Sequence, residues 1–132
     1  MERFSDLLRS FDLDKFGSGN HKISFEQMMA LKKENKAMVV DVRTKQEYEC
    51  VKLKFAVNIP TDEIPDRIHE IPMDQTVVLF CSSATRATIV YAYLLLMGYG
   101  DVKILNHTLG EVAEYFKPGY VQKNYTNLVD NR

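Results

Sequence analysis

Cys81 is followed by Ser82, Ser83, Ala84, Thr85 and Arg86, so small and hydroxyl-bearing residues run from a thiol to a guanidinium. Immediately upstream, Thr76-Val77-Val78-Leu79-Phe80 has strand length and β-branched content with no polar alternation. Such a run reads as a central strand of a parallel sheet, covered on both faces. Downstream, residues 86–97 form a helical segment stopped by Gly98. The thiol therefore stands where a buried strand ends and a helix begins, the place at which open α/β sheets bind ligands. Successive backbone N–H groups of a short loop can converge there, with the positive end of the helix dipole behind them. A cysteine in that cradle is expected to face the crevice as a nucleophilic thiolate at neutral pH. Arg86 adds a fixed positive charge and a donor fork suited to an oxyanion. A cysteine that merely closed a strand would leave the three hydroxyls and the arginine beside it without a reason.

Other chemistry-bearing residues keep two readings each. Asp41, after Met38-Val39-Val40, is either a carboxylate that reaches the loop and orients Arg86 or a solvated acid at a strand end. Arg43 either helps to bind an anionic donor or pairs with Glu47 four residues on. His107 is expected to be an exposed loop histidine, the sharper reading being an acid or anion contact at the rim. Cys50 is expected as a packed thiol at a helix end rather than as a disulfide partner that resolves Cys81. His21 and His69 stand in polar surroundings, and no His, Cys or carboxylate cluster has ligand spacing, so no metal and no cofactor are expected. Residues 12–26 imitate a calcium loop, but Phe16 takes a ligand place and Glu26 lies beyond the twelfth position from Asp12 or Asp14. That stretch reads as a helix end and linker.

The elements that must position these groups alternate. Apolar runs at Met38-Val39-Val40, at residues 55–59, at residues 76–80 and at residues 102–105 have strand character. Helical segments fill the gaps: residues 44–50 with a Thr44/Glu47 capping box, 61–71, 86–97 and 110–116. A further capping box, Ser24 and Gln27, opens a helix carrying Met28, Met29 and Leu31. The alternation implies a compact α/β sandwich. Phe4, Leu7, Leu8 and Phe11 line one face of an N-terminal amphipathic helix that ends before Gly17-Ser18-Gly19-Asn20. Residues 1–20 are thus expected to be a helix and linker, 21–120 the domain, and 121–132 a polar tail, at most a docked strap.

Composition narrows the function classes. A chain of 132 residues suits one domain. Hydrophobic residues at 45% against 27% charged predict a folded protein rather than a disordered one. Seventeen basic and 18 acidic side chains give nothing that draws the protein to nucleic acid or to an anionic membrane. The charged start, Met1-Glu2-Arg3-Phe4-Ser5-Asp6, lacks an apolar secretory core, and the longest apolar run, residues 89–97, is half a membrane span. A cytoplasmic protein with two free thiols is expected.

Three stretches in order, Asp41-Val42-Arg43-Thr44 with Glu47-Tyr48, Ala56-Val57-Asn58-Ile59-Pro60, and Cys81 to Arg86, resemble a single-domain rhodanese over about residues 23 to 117. The resemblance implies a three-layer α/β sandwich with a central, mostly parallel sheet and helices on both faces, plus an extra N-terminal helix. It also implies a sulfurtransferase in which Cys81 carries a sulfane sulfur as a persulfide and the amides of Ser82, Ser83, Ala84, Thr85 and Arg86 form its cradle. The substrates would be a small anionic donor such as thiosulfate and a thiol or cyanide acceptor. The chain departs from the family pattern at Val51-Lys52-Leu53 and Phe55, where a repacked connection is expected. It departs again at Ala84, a frequent glycine position, which suits alanine only where φ is negative. A cysteine phosphatase or arsenate reductase is the rival chemistry. Its cradle sets five residues between cysteine and arginine, whereas the four residues here make a tighter ring for a single sulfur. The non-enzymatic alternative is a binding module for a protein partner, with Phe4, Leu7, Leu8 and Phe11 as the docking face.

Overall fold

The computed structural model describes residues 2–131. In chain order the elements are α1 (Glu2–Ser10), α2 (Leu13–Gly17), β1 (Lys22–Ile23), α3 (Phe25–Lys33), β2 (Ala37–Asp41), α4 (Lys45–Cys50), β3 (Val57–Asn58), α5 (Ile64–Arg67), β4 (Thr76–Phe80), α6 (Thr85–Leu96), β5 (Val102–Leu105), α7 (Leu109–Ala113) and α8 (Pro118–Val129). The strands form one sheet in the order β1-β5-β4-β2-β3, and every pairing is parallel. This is the expected α/β sandwich, with a sheet parallel throughout rather than mostly so.

The missing alternation in β4 has a direct physical cause, since both of its faces are covered. Val77 and Leu79 pack with Ile64, Val90 and Leu94 in one apolar layer. Val78 and Phe80 pack with Phe25, Met28, Phe55 and Val112 in the other. Three capping boxes close as their residue pairs require, at Ser24/Gln27, Thr44/Glu47 and Thr108/Glu111. Each satisfies N–H groups that a helix start leaves without partners. In the connection at residues 51–55, Leu53 and Phe55 are buried, with Phe55 edge-on to Phe25 at 5.5 Å between centroids.

Several elements differ from the sequence reading. The helix expected over residues 61–71 is broken into short 3-10 turns on either side of α5, where Pro65 enters its first turn. The run at residues 55–59 keeps only two ladder residues, Val57 and Asn58. The calcium-loop imitation is the short helix α2, N-capped by Asp12, whose carboxylate accepts the Lys15 N–H. The polar tail is largely helical: α8 runs to Val129 with a kink at Asn124 and seats Leu128 in the core. Lys32, itself buried, ties this end down by donating to the Phe55 and Asp130 carbonyls. Finally, α1 lies along α6, and Phe11 packs at 6.2 Å from the Tyr91 ring. Phe4 and Leu8 stay exposed. No helix among the described residues is long and apolar enough to cross a membrane.

Candidate active site

The chain passes from β2 out to β3 and then back across to β4, so the sheet order reverses between β2 and β4. Asp41 and Phe80 are register partners at the carboxyl ends of those two strands, and Cys81 is the next residue. That is the crevice where ligands of parallel sheets bind. The residues after Cys81 bend through Ala84 (φ 68°, ψ −11°) into α6. The expectation of a negative φ at Ala84 is therefore overturned. This left-handed conformation brings Cβ toward the following carbonyl and costs an alanine about 1–2 kcal/mol.

Sγ of Cys81 accepts the Ala87 N–H at 3.3 Å, one residue past the expected cradle. The N–H groups of Ser82, Ser83, Ala84, Thr85 and Arg86 engage no protein acceptor among the described residues. They form a row of donors at a helix start, where the macrodipole also favours an anion. Cys81 itself is only 2% exposed, not open to the crevice as expected. It shares the apolar layer of Val42 and Ala87, while Ser83, Ala84 and Thr85 present the exposed crest of the loop. The thiol is thus the floor of the loop and the polypeptide its rim. Cys81 and Cys50 are both free, and Cys50 is exposed rather than packed.

Arg86 is held by a residue that the sequence reading had used only as a cap and as a partner for Arg43. Its Nη1 donates to Glu47 Oε1 at 2.6 Å and its Nη2 to Oε2 at 3.0 Å, with a further 3.3 Å contact from Nη2 to Ser82 Oγ. Glu47 Oε1 also accepts the N–H and the hydroxyl of Thr44, so one carboxylate caps α4 and anchors the loop. Those donors, Arg86 first and the Thr44 N–H next, depress the Glu47 carboxyl to about 2. Glu47 in turn raises the Arg86 pKa, with smaller contributions from the charges of Cys81 and Asp41.

Asp41 and Arg43 correct two expectations. Asp41 is fully buried and does not touch Arg86. Its carboxylate receives Arg43 Nη2 at 2.7 Å, Nε at 3.0 Å and the Arg43 backbone N–H at 3.0 Å. Arg43, 1% exposed, neither lies open to a donor nor meets the Glu47 carboxylate. Beyond that carboxylate its Nη2 donates to the Val51 carbonyl at 2.8 Å and its Nη1 to the Glu47 backbone carbonyl at 3.5 Å, which closes the turn from β2 through α4. Asn58 completes that support by donating to the Asp41 and Arg43 carbonyls at 2.9 Å. The pair braces the floor under the crevice. His107 is half-buried rather than exposed, and His21 is half-buried edge-on to Phe16 at 4.8 Å, whereas His69 is exposed. No His, Cys and carboxylate group able to hold a metal ion occurs among the described residues.

Sheet order, strand-end cysteine and helix-start donors define a parallel α/β domain with a cysteine loop at its switch point. The chain belongs to the rhodanese-like domain family, whose model matches residues 24–113. It is 38% identical over 76 residues to a sulfurtransferase of Allochromatium vinosum, spanning 58% of this chain and 69% of that one. It is 32% identical over 81 residues to the thiosulfate sulfurtransferase GlpE of Pseudomonas syringae, spanning 61% of this chain and 76% of that one. A rhodanese-like domain protein of Staphylococcus aureus superposes with a TM-score of 0.60 at 25% identity, covering 68% of this chain and 88% of the other.

Proposed function

We propose that this domain is a sulfurtransferase that moves a sulfane sulfur from a small anionic donor such as thiosulfate to a thiophilic acceptor, a thiol or cyanide, through a persulfide on Cys81. The observation that carries the reading is the free Cys81 thiol at the end of β4, taking the Ala87 N–H and backed by five uncommitted amides, with Arg86 four residues beyond the loop's first serine. The likeness to two sulfurtransferases supports the same chemistry.

In the first half-reaction the Cys81 thiolate attacks the outer sulfur of thiosulfate; a new S–S bond forms, the old one breaks, and its electron pair leaves with sulfite. In the second, cyanide or a thiolate attacks the outer sulfur of the persulfide and the pair returns to Cys81 Sγ. This is a double displacement with no net oxidation of the protein. The helix-start amides favour both anionic forms of the sulfur. The buried floor excludes water from a reactive intermediate.

The protein is incubated with thiosulfate and cyanide, thiocyanate is followed, and intact mass is recorded after thiosulfate alone. Thiocyanate formation and the mass of one added sulfur, both lost in Cys81→Ser, are expected. Failure of every sulfane donor to leave that adduct refutes the reading. The second reading, a binding module that keeps the fold without the chemistry, draws on the 2% exposure of Cys81. Alkylation at mildly acidic pH no faster than that of free cysteine favours it.

A further inference from the structure

A groove of about 330 Å³ runs beside the cysteine loop, a volume in the range of small-molecule sites. One wall comes from the N-terminal extension: Phe11, Phe16 and His21. All three precede residue 24, where the match to the family model begins. Ser83 and Ala84 from the loop crest and Thr88 from α6 also line the groove, with Tyr91 beneath Phe11. The end is closed by the segment from Ile104 to Thr108 that leads out of β5, with His107 in it.

Some of the polar groups in this groove are committed. The Thr88 hydroxyl donates to the Ala84 carbonyl at 2.8 Å, and the Glu111 carboxylate accepts the Thr108 N–H at 2.8 Å as part of a capping box. Two ring nitrogens remain without a protein partner although both are buried, Nδ1 of His21 and Nε2 of His107. Buried polar atoms of that kind call for an explanation. The surroundings are cationic. Lys15 Nζ sits 5.9 Å from the Phe11 ring and 5.6 Å from the Tyr91 ring, and Lys22 lines the wall. Burial lowers the His21 pKa, and Lys22, Lys15 and Lys103 lower it further.

Thiosulfate is small and fully polar and gains nothing from an aromatic wall. An acceptor that carries its nucleophile on an apolar body does. We propose that this groove seats the organic body of a low-molecular-weight thiol, aromatic or branched aliphatic, that removes the sulfane sulfur from Cys81. The apolar body lies against Phe16 and Phe11, and the lysines favour the thiolate form. Ser83 and Ala84 belong to both the groove and the loop, so the seated molecule presents its sulfur at the loop crest. The thiolate attacks the outer sulfur of the persulfide; an S–S bond forms as the bond to Cys81 Sγ breaks, the electron pair stays on Sγ, and the charges leave as the Cys81 thiolate and the product persulfide anion. The inference rests on the reaction proposed above.

The test compares phenylmethanethiol with cyanide as acceptors, thiosulfate being the donor in both series. In Phe16→Ala, kcat/KM for phenylmethanethiol is expected to fall about tenfold further than kcat/KM for cyanide, equivalent to about 1.4 kcal/mol of lost acceptor binding. Phe16→Leu, which restores much of the volume, regains most of the loss, and Ala92→Phe, which fills the groove from α6, reproduces it. Equal falls for both acceptors, or no fall in any of these variants, overturn the inference and leave the reaction standing. Absence of thiocyanate from the unsubstituted protein overturns both. Independently of turnover, titrating phenylmethanethiol into Cys81→Ser should shift the ring proton resonances of His21 and His107 and spare those of His69. No shift, or an equal shift of all three, overturns the inference.

Discussion

Replacing Glu47 by Gln removes a charge and little else. Gln is the other residue that serves at the third position of a capping box, so the Thr44 cap survives, and the loss falls on the forked contact to Arg86 at 2.6 and 3.0 Å. The carboxyl is depressed from 4.5 to about 2 by Arg86 first and the Thr44 N–H second. Taken whole, that depression corresponds to about 3 kcal/mol. Part of it belongs to the cap, and the side chains are 38% and 31% exposed, so solvent screening leaves about 1 kcal/mol for the ion pair itself. Urea unfolding of Glu47→Gln, Arg86→Met and the double variant at pH 7 should give a coupling of about 1 kcal/mol. The Glu47→Gln variant alone should melt about 3–5 °C lower. The sign with pH follows from a depressed acid: its stabilisation is fully present above the unfolded value near 4.5 and disappears as pH falls toward 2. The gap between wild type and Glu47→Gln should therefore be constant from pH 7 to about 5 and narrow below it. A coupling near zero at pH 7, or a gap that stays the same down to about pH 2.5, refutes the argument.

Three further predictions bear on what positions the loop. Ala84→Gly relieves the left-handed alanine at φ 68° while giving the unfolded chain more freedom; the net is a gain of about 0.5–1 kcal/mol, read as a higher urea midpoint at unchanged slope. Asp41→Ala leaves Arg43 charged, 1% exposed and stripped of its carboxylate, a loss of about 3–5 kcal/mol in chemical denaturation. Asp41→Asn should recover part of that loss, because the amide oxygen still accepts from the guanidinium. Leu128→Ala opens a cavity under α8 and should cost about 2–4 kcal/mol, which a freely solvated tail would not show.

The pattern behind these sites separates what neighbours along the chain decide from what neighbours in space decide. β4 and β5 are found at the residues their apolar content marks, and the boxes at Ser24 and Thr44 close as their spacing demands, because each depends on contacts within a few residues. The partner of Arg86 is 39 residues away and becomes visible only once β2 and β4 are known to be neighbours, which sets α4 beside the start of α6. Glu47 carried a signal, since a capping-box acid points its carboxylate back across the helix start, but that signal does not say which cation lies there. Arg43 was undecided between a carboxylate four residues on and an open crevice, and desolvation chose neither. A guanidinium at 1% exposure must have its N–H groups satisfied, and the fixed Asp41 carboxylate with the Val51 and Glu47 carbonyls does so from either end of α4. The same reasoning explains the sulfur. Motif spacing places Cys81 at the strand end, whereas its burial with Val42 and Ala87 comes from packing across the fold, and φ at Ala84 has the sign that residue type alone argues against. A positive φ there persists because Thr88 and Arg86 tie the loop from both sides, through the Ala84 carbonyl and Ser82 Oγ. Strain held in that way at a strand end is of the kind that clusters at functional sites.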